Sequence, residues 1–290
     1  MPHEAIDPGL RIASVTIAVS DLERSSVFYE RVLGLRPHGR EDGRAWLGVD
    51  GAEPTLELVA IENPVPAPAR STGLFHVAWL HETRAALADT LVRVAASGWQ
   101  LQGASDHGVS EAVYLADPDG LGIELYHDRP REAWQRPQQG HGVVMHTLPL
   151  DLDDLLASAS AQPASKIDGA TVIGHVHLKV SDLQRAVSFY RDALGFAEQA
   201  RIPSASFLAA GDYHHHLGLN TWQSAGSPPA PAGAPGLRSI GMRLSSPQEL
   251  AALERRLQES PSARSRLDPD SGQDLRVFDE DGNELHFASG

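Results

Sequence analysis

Apolar residues alternate with other residues from Ile12 to Val19 and from Val172 to Val180, the period of strands that bury one face. Each run leads into a segment with helical periodicity. In the second copy Leu183, Ala186, Val187, Tyr190 and Leu194 form a stripe that can pack on a sheet. A Ser-Asp pair opens each helix as a cap and Leu-Gly closes it. The two segments, VSDLERSSVFYERVLGL (Val19–Leu35) and VSDLQRAVSFYRDALGF (Val180–Phe196), repeat at a constant offset of 161. Repetition on this scale marks a duplicated structural unit.

Two weaker copies complete the pattern. Leu74–Leu80 precedes a helical stretch from Arg84 to Ser97 that Gly98 stops, and Leu237–Leu244 precedes one over Pro247–Gln258. Each then reaches a hairpin with an acidic turn, Asp-Pro-Asp-Gly at 117–120 and Asp-Glu-Asp-Gly-Asn at 279–283. The chain is therefore expected to be α+β, with four βαβββ modules at roughly 10–61, 73–127, 172–222 and 236–288. Grouped by chain order, these give a domain over 10–128, a linker over 129–171 and a domain over 172–288. Pro- and Ala-rich connectors at 64–69 and 228–235 separate the modules within each half. The linker is too long for a simple loop; it carries Trp134 and a helical candidate near Leu150–Ala157.

Composition narrows the chemistry. With 290 residues, 41% hydrophobic and 21% charged, the chain can bury a substantial core. A net charge of −14, with no block of like charge, argues against nucleic acid or an anionic membrane as partner. There is no Cys, so any metal must sit on His, Asp or Glu, and 14 His are present. The first residues do not pair a basic region with an apolar core, and nowhere do about 18 apolar residues run together, so a cytoplasmic location is expected. A homo-oligomer is neither required nor excluded.

The most informative stretch is HGVSEAVYLADPDGLGIELY, His107 to Tyr126. It reads as strand, tight turn and returning strand, with Glu124 on one face with Gly122 and Tyr126, and Tyr114 on the partner strand. Taken singly, these residues read equally well as a loop histidine, a strand aromatic and a solvated carboxylate. Together, His107, Val113-Tyr114, Asp117-Pro118, Gly120 and Glu124 resemble at every position the signature of type I extradiol ring-cleavage dioxygenases. Those enzymes belong to the vicinal oxygen chelate superfamily, the glyoxalase/bleomycin resistance/dioxygenase group. The four modules resemble its fold across nearly the whole chain. GlnGlyAlaSerAspHisGly (102–108) and GlyAspTyrHisHisHisLeuGlyLeuAsnThrTrp (211–222) resemble the bacterial catechol-2,3-dioxygenases more narrowly.

The resemblance implies two glyoxalase/extradiol-dioxygenase-like domains and makes Glu124 a metal ligand, with His107 and Tyr114 beside the substrate. It places the other ligands on the first strand of a module, seven residues before the helix cap, where Ser14, His76, His175 and Ser239 stand, and on the last strand, where Glu57, Glu124, His215 or a neighbour, and His286 stand. His76, His175 and Glu124 then form a 2-His-1-carboxylate set, typical of non-haem Fe(II) oxygenases; Mn(II) suits the same donors. His177, on the face of His175, is the alternative ligand, although the spacing to Asp182 selects His175. His76 could instead be a core histidine. One mononuclear site can use all three only if the second module faces the third, leaving the first and fourth as structural partners. If each linear half formed its own site, the N-terminal half would hold His76, Glu124 and perhaps Glu57.

By the same resemblance the substrate is a small aromatic diol of the catechol type, cleaved with O2 to a muconic semialdehyde. His215 is the acid-base group, aligned with the distal histidine of those enzymes, while His107 and Tyr114 donate hydrogen bonds to substrate oxygens. The run His214–His216 has a plainer reading as a solvated metal-binding patch. Two other functions fit the fold: a glyoxalase-like lyase or isomerase, for which Glu57 resembles a ligand position, and a metal-free protein that sequesters a planar drug.

Overall fold

A computed structural model describes residues 4–260, 263 and 274–290. The chain runs β1 (Arg11–Val19), α1 (Leu22–Phe28), β2 (Arg36–Glu41), β3 (Arg44–Gly48), β4 (Leu56–Ala60), β5 (Gly73–His81), α2 (Arg84–Ala96), β6 (Leu101–Asp106), β7 (Ser110–Ala116) and β8 (Gly122–Asp128). The linker holds β9 (Leu148–Pro149) and α3 (Leu152–Leu156). The second half runs β10 (Val172–Lys179), α4 (Leu183–Ser188), β11 (Ala197–Ile202), β12 (Ala205–Ala209), β13 (Leu217–Asn220), β14 (Gly236–Leu244), α5 (Pro247–Glu259), β15 (Leu275–Phe278) and β16 (Glu284–Ser289). Between α5 and β15, residues 261–262 and 264–273 of the fourth module lie outside the described residues.

The Asp caps read for the two repeat helices are in place, and Thr83 and Ser246 cap the other two modules' helices. Asp21, Thr83, Asp182 and Ser246 each accept the backbone N–H three residues on, satisfying a donor the first turn leaves free. α1 and α4 differ from a plain α-helix: each passes into a π-helical turn, Tyr29–Leu33 and Phe189–Ala193. Both turns carry the Tyr of the repeat's Phe-Tyr pair. Tyr29 donates to Asp117 Oδ2 at 3.2 Å, and Tyr190 donates to Asp279 Oδ2 at 2.9 Å. The acidic turns thus do more than reverse the chain. They accept hydrogen bonds from the helix of the neighbouring module, and the backbone N–H groups of Ser20 and Ser181 add bonds to Asp119 and Asp281.

The sheets join modules by their first strands. A seven-stranded sheet has the order β15-β16-β14-β1-β4-β3-β2, and a nine-stranded sheet the order β11-β12-β13-β10-β5-β8-β7-β6-β9. Antiparallel pairing of β1 with β14 and of β5 with β10 therefore links the first module to the fourth and the second to the third. The blocks 10–128 and 172–288 each give one module to each sheet. One contiguous core runs between the sheets and their helices, including Val15, Leu58, Val77, Leu87, Val176 and Leu285.

Among the described residues, no helix is long and apolar enough to cross a membrane.

Candidate metal centre

The registers of the nine-stranded sheet decide what meets on its concave face. In β5 and β8, which run parallel, Ala78 pairs with Glu124; in the β5–β10 pair, His76 lies opposite His177, and a bulge brings His175 opposite Ala78. Tyr114 is directly opposite Glu124 in the β7–β8 hairpin, so the two share a face. Gly174 makes room for the Tyr126 side chain that reaches across β5, since a Cβ there would stand 1.8 Å from the Tyr126 hydroxyl.

His76, His175 and Glu124 are all buried. His76 Nε2 lies 3.0 Å from Glu124 Oε2, His175 Nε2 3.2 Å from the same oxygen, and the two Nε2 atoms are 3.3 Å apart. Donors at about 2.1 Å from one cation and at right angles to each other stand about 3.0 Å apart. The triangle therefore has the dimensions of one face of an octahedron. Two imidazoles, a carboxylate and no thiolate suit Fe(II) or Mn(II).

Electrostatics favours the ligating forms. Burial alone would raise the Glu124 carboxyl, but the adjacent His175 and His76 outweigh it and hold the group well below the usual carboxylate range. Burial pushes His175 down to about 4 against the pull of Glu124, so its imidazole is neutral near pH 7 and keeps a lone pair.

The triad opens on a cavity of about 800 Å³, which His107, Tyr114 and His215 also line. His107 has both nitrogens engaged: Nδ1–H donates to the His146 carbonyl at 2.7 Å, and Nε2 accepts from the Tyr114 hydroxyl at 2.7 Å. Its hydrogen bonding therefore reaches the cavity through Tyr114. Burial and the Glu124 charge push the Tyr114 phenol well above its ordinary value, which keeps it protonated. His215 is buried with its ring centroid 4.0 Å from that of His175, and burial followed by neighbouring imidazoles pushes it well below its usual value.

His177 is absent from the triad. It is buried among Phe75, Phe207 and Trp222, and its Nε2 has no hydrogen-bond partner among the described residues. The run His214–His216 is no solvated patch: His214 binds Asp128, and His216 Nδ1 accepts the Ala210 N–H at 3.2 Å.

The corresponding positions in the other sheet are spent on structure. Glu57 accepts from Thr16 at 2.9 Å and pairs with Arg44 at 2.5 Å, and His286 Nε2 lies 3.2 Å from Asp274. Ser14 and Ser239 lie on the paired β1 and β14, Ser14 against Gly241 and Ser239 opposite Thr16.

Sequence reasoning missed the cavity walls. Val143, Val144, Met145 and His146 from the linker line the cavity, as do the apolar rings of Phe75, Phe207 and Trp222. Only the presence of Trp134 in the linker hinted that this segment packs inward; its ring is buried and its Nε1–H donates to the Arg129 carbonyl.

Residues 11–125 and 172–287 match the model of the Glyoxalase/Bleomycin resistance protein/Dioxygenase superfamily. Over 259 residues the chain is 40% identical to the catechol-2,3-dioxygenase of Bacillus subtilis (strain 168), covering 88% of this chain and 90% of that one. Among solved structures it is similar in fold to a candidate dioxygenase from Bacillus subtilis subsp. subtilis str. 168, with TM-score 0.64 and 14% identity over 99% of this chain and 86% of that one. It is also similar to glyoxalase I from Zea mays, with TM-score 0.56 and 16% identity over 97% and 92%.

Proposed function

Because the chain belongs to the Glyoxalase/Bleomycin resistance protein/Dioxygenase superfamily, we propose that it is an Fe(II)-dependent extradiol dioxygenase that cleaves a catechol-type diol with O2. The observation that carries the reading is a buried 2-His-1-carboxylate triangle, His76, His175 and Glu124, opening on the same cavity as the bonded His107–Tyr114 pair and His215. Similarity to a named catechol-2,3-dioxygenase supports it. Mn(II) remains compatible with the donor set.

When bound, the ion supplies a Lewis acid that lowers the phenolic pKa of the diol and gathers diol and O2 at one centre. The rest of the work falls to the chain. Chelation of a diol releases protons, and ring opening needs one returned to oxygen; the His215 imidazole lines the cavity where it can hold and move that proton. Tyr114, whose proton is held by His107 Nε2, offers its hydroxyl oxygen at the cavity as an acceptor for a substrate hydroxyl. Phe75, Phe207 and Trp222 offer faces on which an aromatic ring can pack and exclude water. Both atoms of O2 end in the semialdehyde product, so no external reductant is needed.

Two features count against the rival readings. Glu57, the residue that resembles a glyoxalase ligand, is held by Arg44 and Thr16 in the other sheet, and a metal-free drug binder has no use for three converging buried donors. The test is anaerobic loading with Fe(II), then an oxygen-electrode trace with a panel of catechols while the yellow ring-opened product is followed by absorbance. Uptake with product is expected. A flat trace across the panel, with iron demonstrably bound, would refute the proposal.

A further inference from the structure

His215, which lines the cavity, is the first of three groups in a hydrogen-bonded row. His215 Nδ1 lies 2.7 Å from His214 Nδ1, and His214 Nε2 lies 2.8 Å from Asp128 Oδ1. Asp128 ends β8, where period two sets Glu124, Tyr126 and Asp128 on one face. One strand face thus carries the carboxylate of the triangle, the phenol packed on His175 with ring centroids 4.9 Å apart, and the carboxylate of this row. His214 is fully buried, with the ring of Trp134 at 5.3 Å, and Tyr126 bonds Tyr213 at 2.8 Å beside it. Asp128 alone is partly open to water.

With both imidazoles neutral, proton counting along the row has one outcome. A carboxylate only accepts, so His214 must present Nε2–H to Asp128. A neutral imidazole carries one proton, so His214 Nδ1 is left with a lone pair. The 2.7 Å contact between the two Nδ1 atoms needs a proton, and it must come from His215. His215 is then the Nδ1–H tautomer, which leaves Nε2 of this cavity-lining ring as an unprotonated acceptor.

We propose that Asp128 and His214 are positioning residues that fix His215 in the tautomer able to accept a proton from substrate. This rests on the dioxygenase reading for the identity of the substrate, but the tautomer itself does not. The arrangement differs from that of His107, whose tautomer is set by a backbone carbonyl that no side-chain replacement can change. At His215 the setting comes from a side chain, so a single isosteric replacement can invert it. An Asn at 128 can donate its amide to His214 Nε2; His214 would then carry Nδ1–H, donate to His215 Nδ1, and leave His215 with Nε2–H toward the cavity.

The test reads the tautomers directly. Full-length, metal-free protein labelled with 15N-histidine is observed by long-range 1H–15N correlation, with His214 and His215 assigned by single His→Gln replacements. The wild type should show His215 with a pyrrole-like Nδ1 and a pyridine-like Nε2, and His214 with the opposite pattern. D128N should invert both. In iron-loaded enzyme D128N should lower kcat by about tenfold or more, with metal content and KM for the diol unchanged, and D128E should restore most of it. A pyridine-like His215 Nδ1 in the wild type overturns the proposal without recourse to any variant. Should the tautomers behave as stated while no catechol drives O2 uptake, the positioning row stands and the dioxygenase reading falls.

Discussion

Removing Glu124 tests the centre at its geometric middle, because Oε2 of this one side chain lies within 3.2 Å of both imidazole nitrogens. A metal that binds only the folded protein stabilises it by RT ln(1 + [M]/Kd), about 2.7 kcal/mol at a hundred times Kd. For a chain of 290 residues, unfolding entropy near 2.1 cal/mol/K per residue makes that about 4 °C of Tm. Glu124→Ala leaves two neutral donors and no anion. If affinity falls a hundredfold, the same metal concentration contributes only about 0.4 kcal/mol, a shift below about 1 °C. Glu57→Ala is the control, since that carboxylate sits in the other sheet against Arg44. The assay is differential scanning fluorimetry under anaerobic conditions with Fe(II), repeated with Mn(II). Wild type and Glu57→Ala should shift by several degrees, and Glu124→Ala should not. A full shift in Glu124→Ala, or its loss in Glu57→Ala, would refute the placement of the metal.

Further outcomes follow from single contacts. His215→Phe should keep metal content, because His215 is outside the triangle, and lower turnover by about 10²–10⁴, the share of a general acid-base group; loss of metal would make His215 a ligand. Gly174→Ala puts a methyl 1.8 Å from the Tyr126 hydroxyl and should cost about 1–3 kcal/mol by urea unfolding, partly recovered in a Gly174→Ala/Tyr126→Phe double variant; unchanged stability would show that β10 can move away freely. His81 is buried between the Tyr126 carbonyl and Thr90, and burial pushes it down to about 4 from 6.5. The unfolded chain therefore binds a proton that the folded one resists, so this stability is present above pH 6.5 and is lost as pH falls toward 4, by about 3 kcal/mol. Urea titrations at pH 7 and 4.5 should show that loss, and His81→Gln should reduce it; an unaltered pH slope in the variant would remove His81 as the cause.

What the sequence determined by itself was local. A period of two, a capping Asp, a Leu-Gly stop and an acidic turn specify each βαβββ module because every one acts over a few residues of backbone. The β7–β8 hairpin is local in the same sense, so Tyr114 and Glu124 were bound to face each other once the turn at 117–120 was read. Repetition then marked His76 and His175 as equivalent positions on equivalent strands. Their meeting was decided elsewhere. β1, β5, β10 and β14 are all apolar-faced first strands, and only the ligand pattern, His76 and His175 against Ser14 and Ser239, pointed to β5 facing β10; the packing of the whole chain makes that pairing. Tertiary structure alone also neutralised Glu57 with Arg44, folded the linker into a wall of the cavity and set Asp128 behind His214, 86 residues away. These contacts join side chains distant in sequence, and for them the chain carries no periodic signal. Charge pairs and hydrogen-bonded rows form between whatever groups the strand registers bring within 3 Å, and those registers exist only in the folded molecule.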